Sequence, residues 1–257
     1  MTKTVALGGL SDRFHLWYLS SGGELFMFEG GYDQMLGTSL RQAASPVVTR
    51  DGPAGAHFNP WGLAAVSYIA EVAGSWVSSE RVYIVGTDDQ LYGFDVRSDR
   101  AWTIWRKGIE TSQYRAAGPV AAMIVQTAGQ PESAIVFVDA DGYPHGCRQT
   151  NLLPDPPADL YAFNCAPIPG ATPLDTAADI AAMHVGDALP GGTPPGVALF
   201  AALTSSGQFA GIWWDGFSWH FRLLGAPSRG LGRALAGVMI ADDPGASTAA
   251  IFGVTEE

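Results

Sequence analysis

One short apolar strand recurs along this chain at a nearly fixed spacing. Its four copies begin at residues 63, 120, 180 and 235, and each carries small residues at its centre. The copies are Leu63–Val66, Val120–Met123, Ile180–Met183 and Leu235–Val238. A repeat of this length predicts one supersecondary unit that buries its apolar face only by stacking on its neighbours.

The rest of each unit predicts three further strands. The second unit is the clearest copy, with β-rich runs at Arg81–Val85, Leu91–Asp95 and Ala101–Trp105 and a turn at Gly86–Gln90 between the first two. Four short strands joined by Gly/Asp turns make a four-stranded antiparallel sheet. Repeated sheets of this kind are the blades of a β-propeller, with the small-residue strand innermost. The sequence therefore predicts an all-β propeller of four or five blades, because Val5–Leu7 starts a first unit and the last unit ends after two strands.

Composition narrows the setting of this fold. The chain has 257 residues, of which 47% are hydrophobic, and we expect residues 1–257 to form a single domain. No apolar run reaches the length of a membrane span and the first residues do not form a signal peptide, which favours the cytoplasm. The net charge of −11, with only 14 Lys and Arg, argues against nucleic acid and anionic membranes as partners. The sequence is compatible with a homo-oligomer and does not indicate one.

Two cysteines, Cys147 and Cys165, flank a proline-rich insertion. A disulfide between them stays open, but without a secretory signal we expect the two thiols to be free.

Common catalytic signatures are missing from the sequence. It contains no H-E-x-x-H, C-x-x-C or G-x-S-x-G motif, and we predict neither a metal nor a cofactor. Asp139, Asp141 and Gly142 resemble part of a calcium-binding loop, but the third acidic ligand and the distal Glu are missing, so we interpret them as a hairpin turn.

The strand run Arg81–Tyr92, followed by Trp102 and Trp105, resembles the blade repeat of the fucose-type and related bacterial β-propeller lectins. Trp213–Trp219 resembles a blade ending of the same family. The resemblance implies the propeller fold and suggests sugar binding.

In the fucose-type lectins, the resemblance implies an Arg at the start of the second strand and a Glu two positions past the residue that opens the third. Arg81 matches the Arg. The Glu position falls on Met27, Gly93, Gly146 and Gly211, whose side chains cannot accept a hydrogen bond from a sugar hydroxyl. We therefore expect the repeated fucose site to be lost, while a lectin that uses other residues, such as stacking tryptophans, stays open.

The segments that lead into the innermost strands differ from unit to unit, and in a propeller they converge on one rim of the central channel. We predict one asymmetric pocket there. His57 and Asp175 are the candidate bases, and the candidate substrate-binding residues are Trp61, Tyr114, Arg115, Arg229 and Arg233. Glu71 and His184 are the rival site residues, with Glu71 at the other end of the strands on the opposite rim and His184 in the middle of its strand.

Each candidate also has a purely structural interpretation. Asp175 and Asp179 suit a turn, Arg229 and Arg233 suit solvated loops, and His57 suits a turn before Pro60. Trp61 suits the core between blades, and His184 suits a buried strand position.

Two classes of function follow from these observations. The first is a small-molecule enzyme of specialised metabolism that performs a condensation or cyclisation, for example of the Pictet–Spengler type, on an aromatic or amine substrate. The alternative is a carbohydrate-binding lectin. We favour the enzyme because the Glu positions are lost and the blade segments are unequal, and a non-catalytic scaffold is a third possibility.

Overall fold

Strands account for all the regular secondary structure in the described part of the chain. The computed structural model describes residues 4–10, 13–20, 22–31, 41–42, 58–72, 75–97, 103–104, 114–127, 130–149, 164–185, 197–226, 235–243 and 246–253. These residues form eighteen strands in five antiparallel sheets. No helix within these ranges is long and apolar enough to cross a membrane.

The first two sheets have four strands each, paired in chain order. The first sheet contains β1 (Thr4–Leu10), β2 (Arg13–Leu19), β3 (Leu25–Gly31) and β4 (Arg41–Gln42). The second contains β5 (Phe58–Val72), β6 (Ser75–Gly86), β7 (Leu91–Arg97) and β8 (Thr103–Ile104).

The third and fourth sheets repeat this four-stranded meander, and the fifth sheet has two described strands. The third contains β9 (Ala116–Thr127), β10 (Gln130–Asp139), β11 (Pro144–Gln149) and β12 (Asn164–Pro167). The fourth contains β13 (Ala181–Val185), β14 (Val197–Leu203), β15 (Phe209–Trp214) and β16 (Trp219–Gly225). The fifth contains β17 (Leu235–Asp243) and β18 (Ala246–Gly253).

The predicted small-residue strands begin the second to fifth sheets, as β5, β9, β13 and β17, and β1 begins the first. The predicted repeat of four-stranded antiparallel sheets is therefore confirmed.

The sheets fall into two compact units, one with the first two sheets and one with the other three. Within the first unit, Trp17, Leu19, Leu25 and Met27 of the first sheet pack against the second sheet, at Leu63, Val82, Ile84 and Tyr92. Within the second unit, the apolar face of β10 packs against Phe200, Ile212, Trp214 and Trp219 of the fourth sheet. Stacking of consecutive sheets is what a repeat unit with an apolar face requires. The prediction that residues 1–257 form a single domain is not tested by this division and stays a prediction.

The turn at Asp139–Gly142 joins β10 to β11, as predicted. The Asp139 carboxylate accepts the backbone N–H groups of Asp141 at 3.0 Å and Tyr143 at 2.8 Å, and Gly142 has a φ of 87°. A glycine suits this left-handed position because it has no Cβ. The carboxylate that resembles a calcium ligand serves to hold the hairpin.

Cys147 and Cys165 form a disulfide, which corrects the expectation of free thiols. They are directly opposed residues of β11 and β12, so strand pairing brings together two positions that the intervening insertion separates in sequence. Disulfides are typical of oxidising compartments. The cytoplasmic localisation stays a prediction, and the disulfide weighs against it.

Candidate functional site

The residues predicted to form one pocket are only partly described. His57, Arg229 and Arg233 lie outside the described residues. Trp61 and Glu71 lie in β5 and His184 lies in β13, but their side chains are not described. The prediction that these residues share one pocket is therefore untested and stays a prediction.

Arg115 lies just before β9, and its exposed guanidinium pairs with the Asp89 carboxylate in the turn between β6 and β7. The backbone N–H of Ala116 donates to the Asp89 carbonyl at 3.0 Å, so Asp89 contacts both Arg115 and Ala116. The side chain of Arg115 is 73% exposed, which makes the ion pair a weak surface contact. Its neighbour Tyr114 is half-buried.

Asp175 lies in the turn region before β13. Its carboxylate accepts the backbone N–H of Ala177 at 2.9 Å, and its own N–H donates to the carbonyl of Leu203 at 2.8 Å. This is an Asx turn, which satisfies a local backbone donor. Asp175 thus has the structural role that the sequence also allowed, and Asp179 is half-buried nearby in the chain.

Sequence reasoning missed a charged pair where the third and fourth sheets pack together. Arg148 of β11 forms an ion pair with Glu132 of β10, and its guanidinium lies 4.5 Å from the centre of the Trp214 ring of β15. The Arg148 side chain is 24% exposed and that of Glu132 is 10% exposed. We call Glu132, Arg148 and Trp214 the half-open junction.

The register of the β10–β11 hairpin explains why this pair forms. Ala134 is directly opposite Arg148, and Glu132 lies two residues before Ala134 on the same face of the strand. Glu132 and Arg148 are therefore diagonal neighbours, within reach of long side chains. Trp214 approaches from the next sheet and offers its ring face to the guanidinium, which is a favourable cation–π arrangement.

Two N–H donors at the half-open junction have no acceptor among the described residues. They are Nε of Arg148 and Nε1 of Trp214, and both atoms are buried. A buried donor without an acceptor costs about 1–3 kcal/mol. Because both atoms are also closed to solvent, this cost belongs to the packing of the two sheets.

Gly146 lies beside this pair, on the same face of β11. A Cβ atom at residue 146 would overlap the indole ring of Trp219, which packs directly on the glycine backbone. Gly146 is one of the four positions where the lectin resemblance implies a Glu. In the third sheet, a tryptophan of the next sheet thus occupies the space that a longer side chain at this position needs.

The packing of the first two sheets contains a second charged group, which is closed to solvent. Nδ1 of His15 lies 2.7 Å from the carboxylate of Glu80, and their side chains are 7% and 0% exposed. Arg81 is also fully buried, but on the opposite face of β6 from Glu80, with its guanidinium 5.5 Å from the centre of the Tyr68 ring. We call His15 and Glu80 the sealed junction. Arg81, which matches the lectin Arg in sequence, is not open to a ligand in this structure.

An exposed polar cluster lies in the turn between β15 and β16. Asp215 accepts the backbone N–H groups of Phe217 and Ser218, both at 2.8 Å, and its second oxygen lies 2.6 Å from Nε2 of His220. The hydrogen bonds from Ser218, His220 and Phe217 lower the pKa of Asp215 to about 2. His220 stacks on Trp213 with 5.0 Å between the ring centres.

Asp215, Ser218 and His220 are the residue types of a hydrolase triad, but their geometry excludes that mechanism. Ser218 Oγ lies 3.0 Å from Nε2 of His220, the same nitrogen that contacts Asp215. A triad requires the carboxylate and the hydroxyl on opposite ring nitrogens. The cluster instead fixes a turn whose tip, Phe217, is 83% exposed.

Comparison with solved structures shows the fold class. The chain matches an Aleuria aurantia lectin mutant in complex with Fucα1-6GlcNAc over 98% of its own length and 71% of that chain, at a TM-score of 0.64 and 14% identity. A second match is Aleuria aurantia lectin itself, a six-bladed β-propeller with a novel fucose recognition mode. It has a TM-score of 0.63 and 12% identity, and the match covers 98% of this chain and 78% of the lectin chain. The SapL1 lectin in complex with α-methyl fucoside matches at a TM-score of 0.59 and 16% identity, over 98% and 72%.

These likenesses confirm the predicted β-propeller. The solved propeller has six blades, which differs from the four or five that we predicted for this chain. No family model matches the sequence, and no curated protein matches it well enough to count as a relative.

The comparisons also correct the functional prediction. A condensation or cyclisation enzyme is contradicted, because the solved structures that share the fold are fucose-binding lectins. The association with specialised metabolism depended on the enzyme and is withdrawn with it. Differences between the blade segments do not favour an enzyme over a lectin, because binding sites can differ from repeat to repeat as readily as catalytic sites can.

Proposed function

We propose that this chain is a carbohydrate-binding β-propeller, the alternative that the sequence had offered. The observation that carries the proposal is the likeness of nearly the whole chain to propellers solved with fucosides. The local chemistry supports it, because the half-open junction combines guanidinium donors, carboxylate acceptors and an aromatic ring. Saccharides are bound by this combination of groups.

Fucose specificity is not part of the proposal. In the third sheet, Gly146 stands where the resemblance implies a Glu, and the ring of Trp219 fills the adjacent space. In the first sheet, Met27 stands at the corresponding position and packs in the core. That the repeated fucose site is lost throughout the chain stays our prediction.

A glycan array tests the proposed function directly. The full chain, purified under oxidising conditions so that the disulfide is kept, is applied to arrays of neutral, sialylated and sulfated glycans. We expect binding to neutral glycans that free sugar competes away. An array without signal above that of a denatured sample of the same chain refutes the proposal.

A further inference from the structure

We infer that the half-open junction of Glu132, Arg148 and Trp214 is a binding site for a neutral saccharide with adjacent hydroxyl groups. The inference rests on the proposed carbohydrate binding and specifies where it occurs and which class of sugar it selects. The position of the charged pair, its partial exposure and its net charge of zero all favour such a ligand.

The charged pair lies next to the two positions of the third sheet at which the lectin resemblance implies an Arg and a Glu. Equivalent turns begin at Gly86 and Asp139, whose N–H groups bond to the carbonyls of Gln90 and Tyr143, so Ala134 corresponds to Arg81. The resemblance would place a guanidinium at 134 and a carboxylate at 146, which are diagonal neighbours in the register of β10 and β11. Glu132 and Arg148 occupy the next diagonal away from the turn, with the two charges exchanged between the strands.

The third sheet thus keeps a donor–acceptor pair but moves it one side-chain step along the hairpin. Trp219 blocks the original position by packing on Gly146, whereas Arg148 at the new position keeps part of its surface in water. Asn164, directly opposite Arg148 on β12, is exposed and adds an amide to the same face. A ligand therefore has a carboxylate, a guanidinium and an amide within reach at this edge.

The chemistry of the pair selects the ligand class. A guanidinium donates two parallel hydrogen bonds to neighbouring oxygens, and a carboxylate accepts from hydroxyl groups. Glu132 and Arg148 cancel each other's charge, and the chain carries a net charge of −11, so a neutral ligand suits the site better than an anion. The Trp214 ring holds the guanidinium in place, which reduces the side-chain entropy lost on binding.

The site is specific to this sheet among those with described side chains. In the fourth sheet Trp213 corresponds to Arg148, because it too lies four residues after the residue that opens the third strand. In the sealed junction the charged groups are buried. We therefore expect a single dominant site from these sheets rather than a repeated one.

The test uses the full oxidised chain and three neutral probes, namely methyl α-L-fucoside, methyl α-D-mannoside and methyl β-D-galactoside. Each is titrated by calorimetry and by NMR of the Trp214 indole N–H, with galacturonic acid and inorganic phosphate as anionic probes. We expect at least one neutral glycoside to bind and to shift the Trp214 signal. Arg148→Met and Glu132→Gln should each weaken that binding about tenfold or more, because each removes one side of the pair.

Matched variants separate a local effect from general damage. Arg222→Met makes the same substitution at an exposed residue of β16 and should bind as the wild type does. Arg148→Lys keeps the charge but loses the planar fork, so weaker binding at an unchanged melting temperature indicates recognition rather than folding. Phe217→Ala removes the most exposed aromatic ring of the fourth sheet, which is the rival platform.

The outcomes distinguish this inference from the proposed function. A chain that binds no array glycan overturns both. Array binding that Arg148→Met and Glu132→Gln leave unchanged, or that only Phe217→Ala abolishes, overturns the site and keeps the lectin. Binding of none of the three glycosides, or tighter binding of galacturonic acid or phosphate than of every neutral glycoside, overturns the neutral-sugar class.

Discussion

The sealed junction and the half-open junction solve the same packing problem with different consequences. Both place a carboxylate and a basic side chain where two consecutive sheets meet, Glu80 with His15 in one and Glu132 with Arg148 in the other. In the sealed junction the side chains of His15 and Glu80 are both buried, whereas in the half-open junction Arg148 keeps part of its surface in water. One arrangement stabilises the packing of the sheets, and the other also leaves hydrogen-bonding groups available to a ligand.

The largest expected effect comes from breaking the sealed junction. Glu80→Ala removes one partner of the buried pair with His15, and such a loss costs about 3–5 kcal/mol because the remaining group is left in a poorly solvated site. Urea unfolding followed by tryptophan fluorescence measures the loss. Glu24→Ala, at an exposed position of the same unit, should change the free energy of unfolding little. If Glu132→Ala destabilises the chain as much as Glu80→Ala does, the distinction between the two junctions is wrong.

The disulfide lies next to the half-open junction. It ties β12 to β11 next to Arg148 and closes a loop with a sequence separation of 18. Replacing both cysteines by alanine should lower the free energy of unfolding by about 3 kcal/mol, since the unfolded chain regains the entropy of that loop. Dithiothreitol should shift the urea midpoint of the wild type toward that of the double variant and leave the double variant unchanged. A wild-type midpoint that ignores the reductant means that the bond contributes nothing.

Gly146 tests how tightly the sheets pack beside the half-open pair. Gly146→Ala forces a Cβ atom into the ring of Trp219, and overpacking of this kind costs about 1–3 kcal/mol. Gly211→Ala is the matched control, because Gly211 holds the corresponding position of the fourth sheet and its new Cβ meets Leu224 at an ordinary 3.5 Å. Thermal unfolding of the two variants gives the comparison. Equal melting temperatures would show that Trp219 can move away, and with it the argument that Trp219 blocks this position would fail.

These results show how far the sequence alone could reach. The recurrence of the small-residue strand placed β5, β9, β13 and β17 correctly, because the spacing of the copies and the size of their residues can be read from the sequence directly. It gave no sign of β12, since Asn164–Pro167 carries no strand pattern and forms a strand only by pairing with β11. The pairing of Cys147 with Cys165 was missed for the same reason.

The sequence could have predicted the charged pair of the half-open junction but not its aromatic member. Its aromatic member, Trp214, comes from the next sheet, and only tertiary packing brings it to Arg148. The pair itself had a signal: the predicted turn at Asp139–Gly142 fixes the hairpin register and so puts Arg148 opposite Ala134 and diagonal to Glu132. Arg148 is the next residue after Gly146 on the same face of β11, so extending the search by two residues from the Glu position would have identified the pair.

The smallest effect concerns the contact between Asp215 and His220, which belongs to neither junction. Asp215 and His220 are 37% and 38% exposed, so their contact resembles that of His15 with Glu80 but without the burial. The pKa of Asp215 is lowered to about 2 from an ordinary 3.8, so its ionised form stabilises the β15–β16 turn fully above pH 4 and loses this effect as the pH falls through 2. Solvent screening keeps the contribution well below about 1 kcal/mol. The amide protons of Phe217 and Ser218 should therefore titrate by NMR with a midpoint near pH 2, and this titration should vanish in Asp215→Asn. A midpoint near pH 4 would mean that these hydrogen bonds do not lower the pKa of Asp215 at an exposed turn. A contact between a carboxylate and a histidine would then stabilise this fold only where it is buried, as it is for His15 and Glu80.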